Sequence, residues 1–316
     1  MNIAEILGIK YPVIQGGMAR IARGKLAAAV SNAGGLGLVG TGGFTVDEFK
    51  KELEIADQNI EEGKFYGINI VLMEADIEEK IQIAIEKKIK VVTIAAGNPA
   101  PFVQRFKDAG VYVICVVGNS KMAQKCETLG ADAVVIEGLE AGGHLSKATT
   151  MGSLLPVVKS VSIPVISAGG YGHGSQILAA QIMGAAGVQI GSRWLAAVET
   201  PVPETFKEAI INAKEYETDI TGEAQGHPLR QVSNFMTKEY NRLVKEGAPY
   251  EEVRKVYKGS LEKAVNQGDV VNGSLMAGIS IGLIEKQETV AEIMATLIEE
   301  YKEAKEALRS EKDFLY

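Results

Sequence analysis

Eight short, almost continuously apolar runs recur between residues 11 and 194, each separated from the next by a longer amphipathic or charged stretch, and this rhythm limits the possible folds. The runs occupy residues 11–16, 36–40, 65–72, 91–96, 112–117, 133–137, 164–168 and 187–191. A strand that is apolar on both faces must be covered on both. That is the condition of a parallel sheet whose crossover helices pack against it. The intervening segments supply such helices: residues 76–88 place Ile77, Ile81, Ala84 and Ile85 on one face and leave Glu78, Glu79, Lys80, Glu86 and Lys87 for solvent. Eight strand–helix units favour an α/β fold closed as a (β/α)8 TIM barrel over an open doubly wound sheet.

After Trp194 the rhythm stops. Pro201 and Pro203 interrupt the chain, and residues 204–214, 237–245 and 250–265 read as helices without intervening strands. The chain therefore divides into a barrel over residues 1–200, a mainly helical cap or substrate domain over 201–275, and a C-terminal segment over 276–316. Its amphipathic helix, residues 289–308, is expected to pack back on the barrel.

Charge narrows the partners. Forty acidic residues against thirty-three Lys and Arg give a net charge of −7, and the basic residues form no stripe that would attract nucleic acid or anionic lipid. Cys115 and Cys126 form no CxxC motif and read as core residues, and three histidines without carboxylates at ligand spacing predict no metal centre. The amino terminus has Glu5 inside its short apolar stretch and lacks the pattern of a signal peptide, and no apolar run is long enough to span a membrane. The expected compartment is the cytoplasm.

In a barrel the loops after the strands converge on one face, so the residues that follow the apolar runs are the candidates for function. They are rich in glycine: Gln15-Gly16-Gly17-Met18, Gly40-Thr41-Gly42-Gly43, Gly97-Asn98, Gly138 to His144, Gly169-Gly170-Tyr171-Gly172 and Gln189-Ile190-Gly191-Ser192-Arg193, with Asn69 at the end of the third run. Any one such loop is explained by a tight turn. Seven together point to backbone approaching a ligand, and the pair after strands seven and eight, Gly169 and Gly170 with Gly191 and Ser192, is where barrels hold phosphate. The letters of residues 35–40 match a dinucleotide fingerprint, but a helix precedes them and a strand lies within them, so the match is accidental.

His144 ends the loop after strand six, where its imidazole suits proton transfer near neutrality or a structural hydrogen bond. His173, in the seventh loop, and His227, in the cap, are weaker candidates. Glu137 closes a buried strand and needs a partner such as backbone N–H groups or a ligand hydroxyl, whereas Glu140 reads as a solvated loop charge.

Taken in order, Gln15-Gly16-Gly17-Met18, Ala33-Gly34-Gly35-Leu36-Gly37, Gly67-Ile68-Asn69, Glu140-Ala141-Gly142-Gly143-His144 and Val188-Gln189-Ile190-Gly191-Ser192-Arg193 resemble the family of nitronate monooxygenases and type II flavin-dependent enoyl-acyl-carrier-protein reductases. The resemblance covers nearly the whole chain. It implies FMN in the barrel mouth, held by Gly16, Gly17, Met18, Asn69, Glu137, Gly142, Gly143, Ala168, Gly169, Gly170, Gln189, Ile190, Gly191 and Ser192, with His144 catalytic. Glu137, where nitronate monooxygenases typically carry Gln, tilts the implied activity towards reduction of trans-2-enoyl thioesters in fatty acid synthesis, with NADH or NADPH as reductant and acyl carrier protein as partner. Residues 226–230 and 268–278 look like the reductase branch too. Ile94-Ala95-Ala96-Gly97-Asn98 departs from the Thr-Gly-Ala-Gly-Asn of that family. Oxidation of alkyl nitronates by dioxygen is the alternative within the family, a non-catalytic flavin-binding protein the alternative outside it, and a homodimer the implied assembly.

Overall fold

A computed structural model describes residues 1–310. The predicted strands form as β1 (Val13–Gln15), β2 (Leu38–Gly40), β3 (Gly67–Val71), β4 (Val91–Ala95), β5 (Tyr112–Val117), β6 (Ala133–Glu137), β8 (Val165–Ala168) and β9 (Gly187–Ile190). A short β7 (Gly143–His144) interrupts the series and belongs to a different sheet. The eight long-range neighbours pair in parallel in the order β1-β9-β8-β6-β5-β4-β3-β2, and a parallel bridge between Ile14 and Leu36 joins the ends, closing a TIM barrel. The Gln15 side chain completes that seam, its Nε2 donating to the Leu38 carbonyl at 2.9 Å. β2 is shorter than the run that encodes it. The Gly37 N–H turns aside to Ser31 Oγ, and the backbone of Ala27 lies so close that a side chain at Gly37 would collide with it.

Alternation along the strands builds two apolar layers. Ile14, Leu38, Val91, Ile114, Val135 and Ile166 fill the barrel interior, where Ile3 of helix α1 (Ile3–Leu7) joins them. Val13, Ile68, Val92, Val113, Val134, Val188 and Ile190 face outward against the helices. Those helices are α2 (Gly24–Asn32), α3 (Val46–Asn59), α4 (Ile77–Glu86), α5 (Ala100–Asp108), α6 (Ser120–Thr128), α7 (Thr150–Val158) and α8 (Gly174–Ile182).

The cap contains helices α9 (Glu204–Asn212), α10 (Phe235–Lys245), α11 (Tyr250–Tyr257) and α12 (Ser260–Gln267), but it is not strand-free as expected. β10 (Thr218–Thr221) and β11 (Leu229–Val232) form an antiparallel pair, and β11 also pairs with β7 of the barrel loop. These strands escape a hydrophobicity reading because they are short and largely polar, as half-exposed antiparallel strands are. The helix expected over 250–265 is broken in two at Gly259, which adopts the left-handed conformation (φ 73°). A second apolar cluster joins barrel and cap, with Ile21 and Leu195 packing with Phe206, Ile210, Val265, Leu275 and Ile281.

The terminal helix α13 (Val290–Ser310) packs back on the barrel as expected, burying Val290, Ile293, Met294 and Leu297. It runs so close to α8 that a side chain at Gly174 would meet the Tyr301 backbone at 2.2 Å. The remainder of the predicted C-terminal segment, residues 311–316, lies outside the described residues. Among the described residues no helix is long and apolar enough to cross a membrane.

Candidate active site

A cleft of about 420 Å³ opens where the barrel strands end, within the range of small-molecule and cofactor sites. Gly16, Gly17 and Met18 line it from the loop after β1, and Asn69 from β3. Asn69 Nδ2 donates to Thr93 Oγ1 at 2.8 Å, which fixes the amide; Gly17 crosses directly over it, and a Cβ there would stand 2.1 Å from Asn69 Oδ1. Ala168, Gly169, Gly170, Gln189, Gly191 and Ser192 form the corner after β8 and β9. Gly169 and Gly170 are consecutive left-handed residues (φ 98° and 84°), a turn that only glycine makes without strain. The Ser192 hydroxyl accepts the Gly278 N–H at 2.8 Å, tying this corner to the Gly-rich tail.

Ile190 is a correction. It is a fully buried strand residue pointing into the helix-facing layer, and its carbonyl is already taken by Gly16 N–H and Trp194 Nε1. With a period of two, Gln189 and Gly191 face the cleft and the residue between them does not.

On the β6 side, Glu137 borders the cleft and no hydrogen bond or ion pair holds its carboxyl among the described residues. Burial alone pushes it up to about 7. A half-buried carboxyl with no protein donor is what a hydroxyl-bearing ligand would satisfy. Glu140 is not a solvated charge as expected. Its carboxylate accepts the N–H and the hydroxyl of Thr150 at 2.7 and 2.9 Å, at the start of α7.

His144 lines the cleft on β7 beside Gly142 and Gly143. The His144 side chain is exposed at the cleft mouth, yet partial desolvation there, and then the neighbouring His227, hold its imidazole below the usual histidine range. His227 thus lies near the candidate catalytic group, carried there by the β10–β11 connection. His173 does not: it caps α8, with Nε2 3.2 Å from a carboxylate oxygen of Glu300 on α13.

Several lining residues carried no legible signal in the sequence, among them Met73, Glu74 and Leu261. Met276 and its neighbours were signalled only by the Gly-rich tail, whose Ala277 backbone would meet a Cβ at Gly142 at 2.5 Å. Ala95 and Ala96, the departure from the family pattern, also line the cleft, and Ala96 is left-handed (φ 55°), which costs on the order of 1 kcal/mol in a residue with a Cβ. Among the described residues no lysine or arginine lines the cleft, its acidic groups are Glu74 and Glu137, and no His, Cys, Asp or Glu cluster fits a metal ion. Glycine-built turns for phosphate, side-chain amides for polar ring edges and an unpaired carboxyl for a hydroxyl together fit FMN.

A family model described as nitronate monooxygenase matches residues 1–79 and 54–300. The chain superposes on FabK from Thermotoga maritima with a TM-score of 0.93 at 38% identity, covering 97% of each chain. It superposes on a nitroalkane oxidase from Streptomyces ansochromogenes with a TM-score of 0.84 at 25% identity, covering 97% of this chain and 99% of that one. A (3aS,4S,5R,7aS)-5-hydroxy-7a-methyl-1-oxo-octahydro-1H-indene-4-carboxyl-CoA dehydrogenase from Mycobacterium tuberculosis is 35% identical over 72% of this chain, a match spanning 64% of that protein's length. A probable nitronate monooxygenase from Staphylococcus aureus is 28% identical, covering 85% of this chain and 88% of that one.

Proposed function

The chain belongs to the nitronate monooxygenase family of flavin-dependent oxidoreductases, and within it we propose an FMN-dependent reductase that uses NADH or NADPH to saturate the double bond of a trans-2-enoyl thioester carried by acyl carrier protein. The observation that carries this reading is the charge of the cleft. Its lining offers no Lys or Arg among the described residues, Glu74 is already paired with Lys80 at 3.2 Å, and the Glu137 carboxyl has no partner among those residues. An alkyl nitronate is an anion and would enter such a site without a counter-charge, whereas the reacting end of an enoyl thioester is neutral. The likeness to FabK, an enoyl-acyl-carrier-protein reductase, and to a relative named for a CoA thioester supports the same substrate class.

FMN, when bound, supplies a hydride acceptor and donor. The chain supplies the rest. The Gly169–Gly170 and Gly191–Ser192 corner and the Gln189, Asn69 and Glu137 side chains hold and orient the cofactor. Met18, Val71, Met73, Leu261 and Met276 give the acyl chain an apolar wall, the methionines adapting to its shape. Hydride addition at the β-carbon places negative charge on the thioester oxygen, where backbone N–H groups of the Gly-rich loops stabilise it, and His144 delivers the proton to the α-carbon.

The family model and the Staphylococcus aureus relative favour a second reading, oxidation of alkyl nitronates by dioxygen with His144 as base. Anaerobic spectroscopy of the FMN-loaded protein separates the two. NADH or NADPH is expected to bleach the flavin and crotonyl thioester to restore its colour; absence of both steps, together with rapid nitronate turnover in air, would leave only the second reading.

A further inference from the structure

The loop that ends in His144 is gripped at both ends by the cap. At its far end β7 pairs with β11, so that His144 lies opposite Leu229 and Gly143 opposite Arg230, and Leu145 N–H donates to the Pro228 carbonyl at 3.0 Å. At its near end the Arg230 side chain reaches back from β11. Its Nε and Nη2 both donate to the Leu139 carbonyl at 3.3 Å, while Nη1 donates to Thr218 Oγ1 on β10 at 2.7 Å. Burial disfavours the charged guanidinium, and Glu140, whose own carboxylate is spent on Thr150, opposes that by favouring it. One half-buried side chain therefore spans the start of the loop, the strand that carries its end, and the neighbouring cap strand.

The chemistry of the group suits this task. A guanidinium holds its donors in one rigid plane and can bridge acceptors on two separate elements, which a single ammonium cannot do with the same directionality. Those donors are committed inward, so Arg230 acts within the fold rather than as a docking charge for an acidic partner or a nucleotide phosphate.

We infer that Arg230 is a positioning residue for His144, its bridge between Leu139 and Thr218 setting where the imidazole stands over the cleft. In its kinetic consequences the inference rests on the proposed role of His144; in its geometry it does not.

The test uses the full-length FMN-loaded protein and the variants R230M, R230K, H144A and R230M/H144A. With three histidines in the chain, the His144 resonance is assigned by its loss in H144A and its titration followed by NMR. The ionisable group next to the imidazole is His227 on the cap; Glu74 and Glu137 line the same cleft, and Glu140 and Arg230 stand behind the loop. Loosening the loop admits water, so R230M is expected to move the His144 midpoint up towards the ordinary histidine range, with R230K in between. Thioester turnover is expected to fall about ten- to a hundredfold in R230M, as a misplaced catalytic group does, and to change by less than about twofold when R230M is added to H144A. An unchanged His144 midpoint in a folded R230M or, should that variant fail to fold, in R230K would overturn the inference, as would full multiplicative losses in the double variant. If the parent protein shows no thioester turnover, the functional reading fails while the NMR midpoint still decides on Arg230.

Discussion

The two sides of the cleft are held in different ways. The corner after β8 and β9 is assembled from strand ends already joined in the barrel ladder, finished by the left-handed pair Gly169 and Gly170 and by Gly191 and Ser192. The loop from Gly138 to His144 depends on residues far away in the chain: Leu229 and Arg230 on one side and Ala277 and Gly278 on the other, with Thr150 at its base. The proposed cofactor side is thus built largely into the barrel, with Ser192 tied to Gly278 of the tail, while the group proposed for proton transfer is placed by the cap. In an enzyme with this division, cofactor binding and turnover should be separable by mutation.

The largest expected effect breaks the pair apart most cleanly. H144A should lower thioester turnover by roughly 10²- to 10⁴-fold, the usual worth of a general acid, while the purified protein keeps its flavin colour. Loss of both colour and turnover would show that the two sides are not independent. The pH profile sharpens the point. His144 is held below its ordinary value of 6.5. If it donates a proton, turnover falls as pH rises through its midpoint; if it acts as a base on nitronates, turnover rises there.

Glu137 should act on the ligand-holding side. Its folded-state value of about 7 lies above the ordinary 4.5, so the folded apoprotein binds this proton more tightly than the unfolded chain does. Stability from this group is fully present below about 4.5 and lost as pH rises to about 7; the shift is worth at most about 3 kcal/mol, less because the carboxyl borders a solvent-filled cleft. Denaturant melts of apoprotein and Glu137→Gln across pH 4 to 8 should diverge in that window, and parallel curves would refute the assignment. Gly17→Ala forces a methyl against Asn69 and should cost about 1–3 kcal/mol while weakening FMN retention, read by melting and by flavin release on dialysis. The smallest effect lies away from both sides: Glu300→Ala removes the carboxylate that accepts Gly174 N–H at 2.8 Å and faces His173. A loss of about 1 kcal/mol with unchanged turnover is expected, and altered turnover would mean that α13 reaches the site.

Much of the barrel was legible because each of its strands is an uninterrupted apolar run, a pattern that depends on neighbouring residues alone. The same locality exposed the glycine-rich strand ends. It failed at Ile190, where a motif was read as a block although strand pleating turns alternate residues away from the cleft. It failed again at Glu140, whose partner Thr150 sits at the head of the next helix, and at β10 and β11, whose polar strands exist only because they pair with each other and with β7.

The sequence by itself determined the barrel, the glycine-lined mouth and the chain position of His144, since periodicity and backbone freedom are properties of short stretches of chain. Only the tertiary structure decided that Glu137 faces the cleft without a protein partner, that the cleft carries no Lys or Arg among its described residues, and that Arg230 braces the His144 loop. Charge balance, desolvation and side-chain bridging are set by groups distant in the chain and near in space, so they come into being only when the barrel and its cap are folded together.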